Sequence, residues 1–550
     1  MRRLLAILAF ALLLAAPAQA KDALTIGITQ FPSTFHPNID EMLAKSYILS
    51  AMRRPFTTHD PEWRLMCMLC VELPTLENGG AKLDTTPDGK KGIAVTYRIQ
   101  PNARWGDGVP VTSKDAVFTW RAGRHPKSGF SGEEFYRRVY QVDAVDPKTF
   151  TLHFDKVFFD YNSIGGFEAL PSHLEEKIFD ERPEEYRNRS LYVTEPTNKG
   201  LYFGQYRMTQ VTTGSHVVLE PNETWWGAAP AFKRVTVRAI ENTAALEANL
   251  LSSAIDMIDG DLGLAIDEAL AFEKRHGARF NFTYKPGLIY EHIDLNLSNP
   301  HLADARVRQA LVLGIDRAAI SERLFGGRQP VAHTNVNALD WIHTEETEKY
   351  PFDPKRAAAL LDEAGWSRRQ GGIRVNTRGE RLSLELMSTA GNRSRELVQQ
   401  VLQSQWKDLG IDIRIRNQPP RVFFGETVTQ RKFEAMAMFA WISAPESVPR
   451  SNLHSEHIPT ADNGWSGQNY TGFKNPDADR LIETIEIELD RETRRGLWHE
   501  LQRLYARELP VIPLYFRANA YILPKWLKGV TPTGHLGTTT LRIEEWREVP

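Results

Sequence analysis

Apolar and polar positions repeat along this chain with two periods, and the switches between them mark its elements. Leu24 to Thr29 alternates with the period of two of a strand, and Gln30-Phe31-Pro32 ends it. A helix is expected from about Glu41 to Met52. Ala94 to Ile99 and Thr149 to Phe154 read as strands, and Ser172 to Phe179 as a helix. Val235 to Ile240, then Asn242 to Ile258, reads as strand, helix and strand. Farther on, Val307, Ala310, Leu311 and Gly314 share one helical face behind Asp304, whose carboxylate can accept from the free N–H groups of the first turn. Asp316 is placed in the same way before Ile320 and Leu324.

The second half carries the clearest unit. Asp353 and Pro354 start a helix that Gly365 stops. Leu382, Leu384 and Leu386 alternate with polar residues, so 381–387 is a strand. A helix from about Asn392 to Leu409 presents Leu397, Val398, Val401, Leu402 and Trp406, and stops at Gly410. Ile411, Ile413 and Ile415 then alternate again. Strand, helix and strand at this spacing form a βαβ unit with parallel strands. Open sheets of this kind take ligands at the carboxyl ends of their strands. Phe433 to Trp441 is a continuous apolar run suited to a buried strand. Helices at about 476–488 and 491–507 follow, and Val511 to Phe516 leads the chain back toward its first half. No repeat, low-complexity stretch or Pro- or Ser-rich linker separates the parts, so the domains are expected to interweave.

The N-terminus changes the picture of where the protein works. Arg2 and Arg3, an apolar run from Leu4 to Ala16 and the small-residue site Ala18-Gln19-Ala20 form the pattern of a cleaved export signal. The run is shorter than the ~20 residues of a spanning helix, and no cysteine follows the site to be acylated. A soluble, monomeric, periplasmic protein starting near Lys21 is expected. Its 67 Lys plus Arg against 69 Asp plus Glu give a net charge of -2, without the basic excess of a nucleic-acid binder.

The chemistry-bearing motifs point away from catalysis. Gly-x-Ser-x-Gly is missing; Gly129-Phe130-Ser131-Gly132 comes nearest and fails at Glu133. His-Glu-x-x-His and the Gly-rich nucleotide loops are missing too. His454 and His457 sit in a loop-like stretch, and no metal or cofactor is expected. Cys67 and Cys70 have a redox spacing without its strand–helix context, and an exported protein can join them as a small-loop disulfide. Asp256, Asp259, Asp261 and Asp267 do not follow a calcium loop and read as a solvated turn.

The string NPHLADARVRQALVLGIDR from Asn299 to Arg317 resembles a signature of the family-5 solute-binding proteins of ABC importers, the dipeptide- and oligopeptide-binding family. WGDGVPVTSKDAVFTW from Trp105 to Trp120 resembles it as well. Phe35-His36-Pro37 and Gly204-Gln205-Tyr206 match in altered form. The resemblance implies an α/β, two-lobed periplasmic-binding-protein fold (type II, cluster C) with an extra subdomain inserted in lobe I. The implied boundaries are 21–57, 195–283 and 515–550 for lobe I, 58–194 for the subdomain and 284–514 for lobe II. It implies a small-molecule or peptide ligand, captured between closing lobes and delivered to permease subunits, with no direct membrane insertion.

Site residues follow from the same resemblance. Peptide-binding relatives commonly carry a Trp, two residues and then an Asp that pairs with the peptide ammonium. Trp441 matches the Trp as a stacking wall, but Ala444 stands where the Asp would be. Glu446 is the nearest substitute. A charge-assisted hydrogen bond is worth ~1.5–3 kcal/mol, so opines, glycosides or other conjugates stand beside peptides as ligand classes. Glu41, Met42, Leu43 and Phe130 match cleft positions, Tyr290 and His292 the first crossing, and Tyr515 and Phe516 the second. Arg450, Trp465, Asn469 and Tyr470 lie in the loop after Trp441, where Arg450 can take a carboxylate. A secreted hydrolase on this scaffold and a binding protein serving a chemoreceptor are the rival readings.

Overall fold

A computed structural model describes residues 21–535 and 537–549. The export signal read at residues 1–20 lies outside the described residues. A ten-stranded mixed sheet runs through the molecule. One end contains Tyr206–Thr212, His216–Pro221, Arg234–Ala239, Ala23–Ile28 and Met257–Ile258. The other contains Asp412–Ile415, Ser383–Met387 and Met436–Ile442. Two long antiparallel strands between them, Phe280–Leu295 and Val511–Pro524, belong to both ends.

These crossing strands define the two lobes. Phe280 to Pro286 pair with Ala518 to Pro524 on the lobe I side, and Tyr290 to Asp294 pair with Val511 to Phe516 on the lobe II side. The register slips between Pro286 and Tyr290. A β-bulge of this kind kinks and twists a ladder without breaking it. Gly287 sits at the slip because a Cβ there would come within 2.6 Å of the Gly534 carbonyl. Leu288 donates its N–H to that same oxygen at 3.1 Å. From Leu288 to Leu295 nearly every residue is buried, so both faces are apolar and the period of two that betrays a half-exposed strand is lost.

The βαβ unit of lobe II has Ser383 opposite Asp412 in parallel register. Its helix, Arg393–Asp408, is capped by Asn392, which accepts from the Arg395 N–H at 3.0 Å. Val398, Leu402 and Trp406 are buried on its inner face, each such burial contributing roughly 1.5–3 kcal/mol. The Trp406 indole donates to the Leu311 carbonyl at 2.9 Å, so the apolar stripe also has its one polar atom satisfied.

The 299–317 string is structural. Asp304 and Asp316 cap helices Ala305–Leu313 and Arg317–Phe325. Arg308 donates to the carbonyls of Leu302, Ala303 and Glu508. Arg317 donates to those of Ala332, Pro513 and Tyr350 at 2.7–2.8 Å. Together they bolt both helices to the start of the second crossing strand.

The subdomain has a four-stranded antiparallel sheet, ordered Ala81–Thr85, Lys91–Arg98, Thr149–Phe154 and Val139–Asp146. Helix Ser113–Arg124 opens with the Thr112/Asp115 capping box. Asp115 also accepts from the Trp105 indole at 3.2 Å and the Ser172 N–H at 2.9 Å. Cys67 and Cys70 are joined, with Cα atoms 5.2 Å apart. Gly204 is required where it stands, since a Cβ would fall 2.2 Å from the Met52 carbonyl carbon.

Candidate ligand-binding cleft

Beside the register slip lies a cavity of about 940 Å³. Its lobe I wall includes Tyr47, Asp259, Asp261 and Tyr521, the subdomain contributes Ser131 and Gly132, and the edge of lobe II contributes Ile442. The expected helix from Glu41 is shorter, Leu43–Ser50, because Met42 is extended (φ -133°, ψ 132°). Glu41, Met42 and Leu43 line the cavity at this point. Ile442 is 62% exposed there, an apolar side chain facing solvent at the end of strand Met436–Ile442.

Trp441 stands at the end of strand Met436–Ile442, half-buried. It stacks on Tyr470 at 5.8 Å and 24° and meets the Phe439 edge at 5.3 Å. With Ala444 it lines a smaller lobe II pocket of about 150 Å³. Tyr290 and His292 line the same pocket, their rings stacked 5.0 Å apart. The Tyr290 hydroxyl lies 3.2 Å from that of Tyr505, and His292 Nε2 is 3.1 Å from an Asp294 carboxylate oxygen. That contact falls outside hydrogen-bonding directions and leaves Nε2 without an acceptor. Asp340 lines the pocket too; burial pushes its carboxyl up to about 6 against the N–H that Glu446 donates to it at 2.8 Å.

Other positions in the expected site are committed to the protein itself. Glu446, in a left-handed turn (φ 56°), accepts from the Trp341 indole and lies 3.4 Å from an Arg494 nitrogen. Arg450 donates to Glu486 at 2.6 Å. Asn469 pins its loop by donating to the carbonyls of Leu453, His454 and Phe473. Phe130 is buried among His36, Tyr136 and Tyr186 in the subdomain core. Phe516 packs on Tyr290, Tyr515 on Phe325, and Trp465 sits in a left-handed turn (φ 62°) outside both cavities.

The solvated-turn reading of the four aspartates needs correction. Asp259 is 5% exposed, its carboxylate accepting from the Thr539 hydroxyl at 2.5 Å. Burial pushes its carboxyl up to about 7. Asp261 is open to the cavity, yet surrounding protein still raises its carboxyl, with Asn519 and Arg517 drawing it part of the way back. Asp256 instead holds the Thr25 N–H at 2.7 Å. Nothing in the local sequence foretells the C-terminal turn and second crossing strand that close over Asp259.

At the edge of the same cleft Glu291, fully buried, is shared by two guanidiniums. Arg395 donates to it at 2.6 Å and Arg517 pairs with its other oxygen. Burial by itself would raise this carboxyl; Arg517 and Arg395 outweigh it and hold it below the ordinary range. This clasp ties both crossing strands to helix Arg393–Asp408.

Two lobes joined by two strands, with a cavity beside the joint, suit capture of a solute. The model of the bacterial extracellular solute-binding proteins, family 5, matches residues 78–457. The chain belongs to that family. Oligopeptide-binding protein AppA of Bacillus subtilis is 25% identical over 472 residues, covering 83% of this chain and 81% of AppA. The crystal structure of the oligopeptide-binding protein of Thermus thermophilus complexed with pentapeptide superposes with a TM-score of 0.70 at 28% identity, covering 96% of each chain. NikZ of Campylobacter jejuni, in complex with Ni(L-His), has the same fold, with a TM-score of 0.73 at 22% identity over 96% of this chain and all of NikZ. Family-5 members are binding proteins, and the two-lobed α/β architecture is that of their substrate-binding fold.

Proposed function

We propose that this family-5 protein is the periplasmic, monomeric substrate-binding component of an ABC importer, exported by a signal cleaved near Ala20. It captures a peptide or peptide-like solute between its lobes and hands the closed form to the permease subunits, without turning the solute over. The observation that carries this reading is the cavity of about 940 Å³ beside the slip in the crossing strands. It is at the upper end of the volumes that small-molecule sites occupy. Closure about that slip would expel water and strengthen the polar contacts inside, and the ligand's preference for the closed form would shift the population toward it. Glu41, Met42 and Leu43 form the wall the solute meets in this cavity, and Trp441, in the smaller lobe II pocket, meets it as the lobes close.

Ala444 favours a second reading, with a non-peptide solute such as an opine, glycoside or other conjugate. No carboxylate stands at 444, and that of Glu446 is held by Trp341 and Arg494. Protein purified natively from the periplasm and then denatured releases whatever it carried, and mass spectrometry identifies it. A ladder of short peptides supports peptide capture; one defined non-peptide compound supports the second reading. Conversion of the released compound by the protein would overturn a pure binding role.

A further inference from the structure

The polar groups of the cleft are unevenly satisfied. Lys45 directs its ammonium at the carbonyls of His36, Pro37 and Ile39 at 2.8–3.0 Å. Glu168 is paired with Arg53, and Arg517 with Glu291. That leaves Glu41, Asp259 and Asp261, all lining the cavity and in no ion pair among the described residues, although Arg517 acts on Asp261 from a distance. Tyr47, 2% exposed and also in the cavity wall, sets its hydroxyl beside Asp259 and Thr539 without a well-aligned hydrogen bond to either. A buried carboxylate bonded only to hydroxyls, with no cation beside it, is an expensive arrangement for an empty protein.

The turn that carries the two aspartates is held in place rather than loose. Gly260 between them adopts φ 38°, and a Cβ there would lie 2.8 Å from the Tyr521 ring. Thr539 fixes the Asp259 carboxylate from the C-terminal turn. Such preorganisation lowers the ordering cost of binding.

We infer that this floor of lobe I is a cation site, in which Asp259 and Asp261, with Glu41 and the Tyr47 hydroxyl, hold an ammonium or guanidinium group of the bound solute. The site supplies from lobe I the charge that Ala444 lacks in lobe II. It rests on the solute-capture reading but not on the solute being a peptide. The bound cation neutralises the buried Asp259 carboxylate, with the more open Asp261 and Glu41 adding to its hold. Neutral and acidic analogues lose that compensation. The expected discrimination is about ten- to a hundredfold, the range of one charge-assisted hydrogen bond.

Equilibrium dialysis with paired probes tests this. Trialanine and pentaalanine are each compared with their N-acetylated forms, and spermidine with triacetylspermidine. The expected result is tenfold or greater preference for the cationic member of at least one pair, lost in Asp261→Asn and in Asp259→Asn and kept in Glu446→Gln. Asp261→Asn changes a residue open to the cleft, and thermal unfolding of each variant confirms the fold. Spermidine preferred over triacetylspermidine while no peptide is retained in either form keeps the cation site and removes the peptide reading. Probes bound with no cationic preference in any pair, or a preference that survives both aspartate variants, overturn the cation site. Retention of no probe by the wild type also overturns it.

Discussion

The two walls of the cleft differ in how they treat their polar atoms. On the lobe II side Glu446, Arg450 and Asn469 are each committed to a partner within the lobe. The polar atoms left over there, such as His292 Nε2, line a pocket of only about 150 Å³. On the lobe I side the free carboxylates and the Tyr47 hydroxyl face about 940 Å³. The lobe II wall leaves its unpartnered atoms, Asn452 Oδ1 and Trp498 Nε1 among them, in a small pocket, while the lobe I wall leaves carboxylates without an ion pair in an open cavity that can hold a solute. Family position directs attention to the first wall; hydrogen-bond accounting directs it to the second.

The sharpest way to break this contrast is at the clasp where the walls meet. Glu291→Gln leaves two guanidiniums without their shared anion and should cost about 3–5 kcal/mol, the range for breaking a buried ion pair, as read by urea unfolding. A loss under 1 kcal/mol would mean that Arg395 and Arg517 find other acceptors and that the clasp is dispensable.

Asp259→Asn should act in the opposite direction. The Asp259 carboxyl is raised from an ordinary 3.8 to about 7, so between those values the native state holds a proton that the unfolded chain releases. Stability of the empty protein therefore falls as pH rises from about 4 to 7. The variant should recover on the order of 4 kcal/mol at pH 8 and nothing at pH 3. The groups facing Asp259 are Tyr47, Thr539, Tyr521 and Asp261, none of them cationic. Cation affinity of the wild type should accordingly rise between pH 6 and 8. A variant more stable but poorer at holding a cationic probe separates a binding residue from a structural one.

Trp441→Ala should cost about 1–2 kcal/mol, less than the ~3–5 of a fully buried aromatic, because the indole is half-buried. If Trp441 is a wall for the solute, affinity for the solute that copurifies should fall about tenfold by calorimetry. Glu446→Gln should produce the smallest effect on binding, within twofold, since its carboxylate serves Trp341 and Arg494. A tenfold loss there would return the ammonium anchor to lobe II.

Much of the fold was legible because its elements carry their own instructions. Asp304, Asp316 and Asn392 cap the helices expected after them, and Thr149–Phe154 has the bounds its alternation predicts. The βαβ unit was readable from period and punctuation. Less legible were the crossing strands, whose lobe II half is buried on both faces and so has no alternation. The site was least legible. Glu446 and Asp261 are both acidic loop residues, and nothing local distinguishes the one bound to Trp341 from the one facing the cavity.

Local order is therefore what the sequence by itself determined. Helix caps, strand periods, turn glycines and family signatures act between residues a few positions apart, and their energies are settled within one segment. Which carboxylates are free was decided only by tertiary structure. Thr539 reaches Asp259 across 280 residues, and Arg517 reaches Glu291 across 226. Burial and charge pairing depend on what the fold brings within a few ångströms, and that distance is not written in any segment.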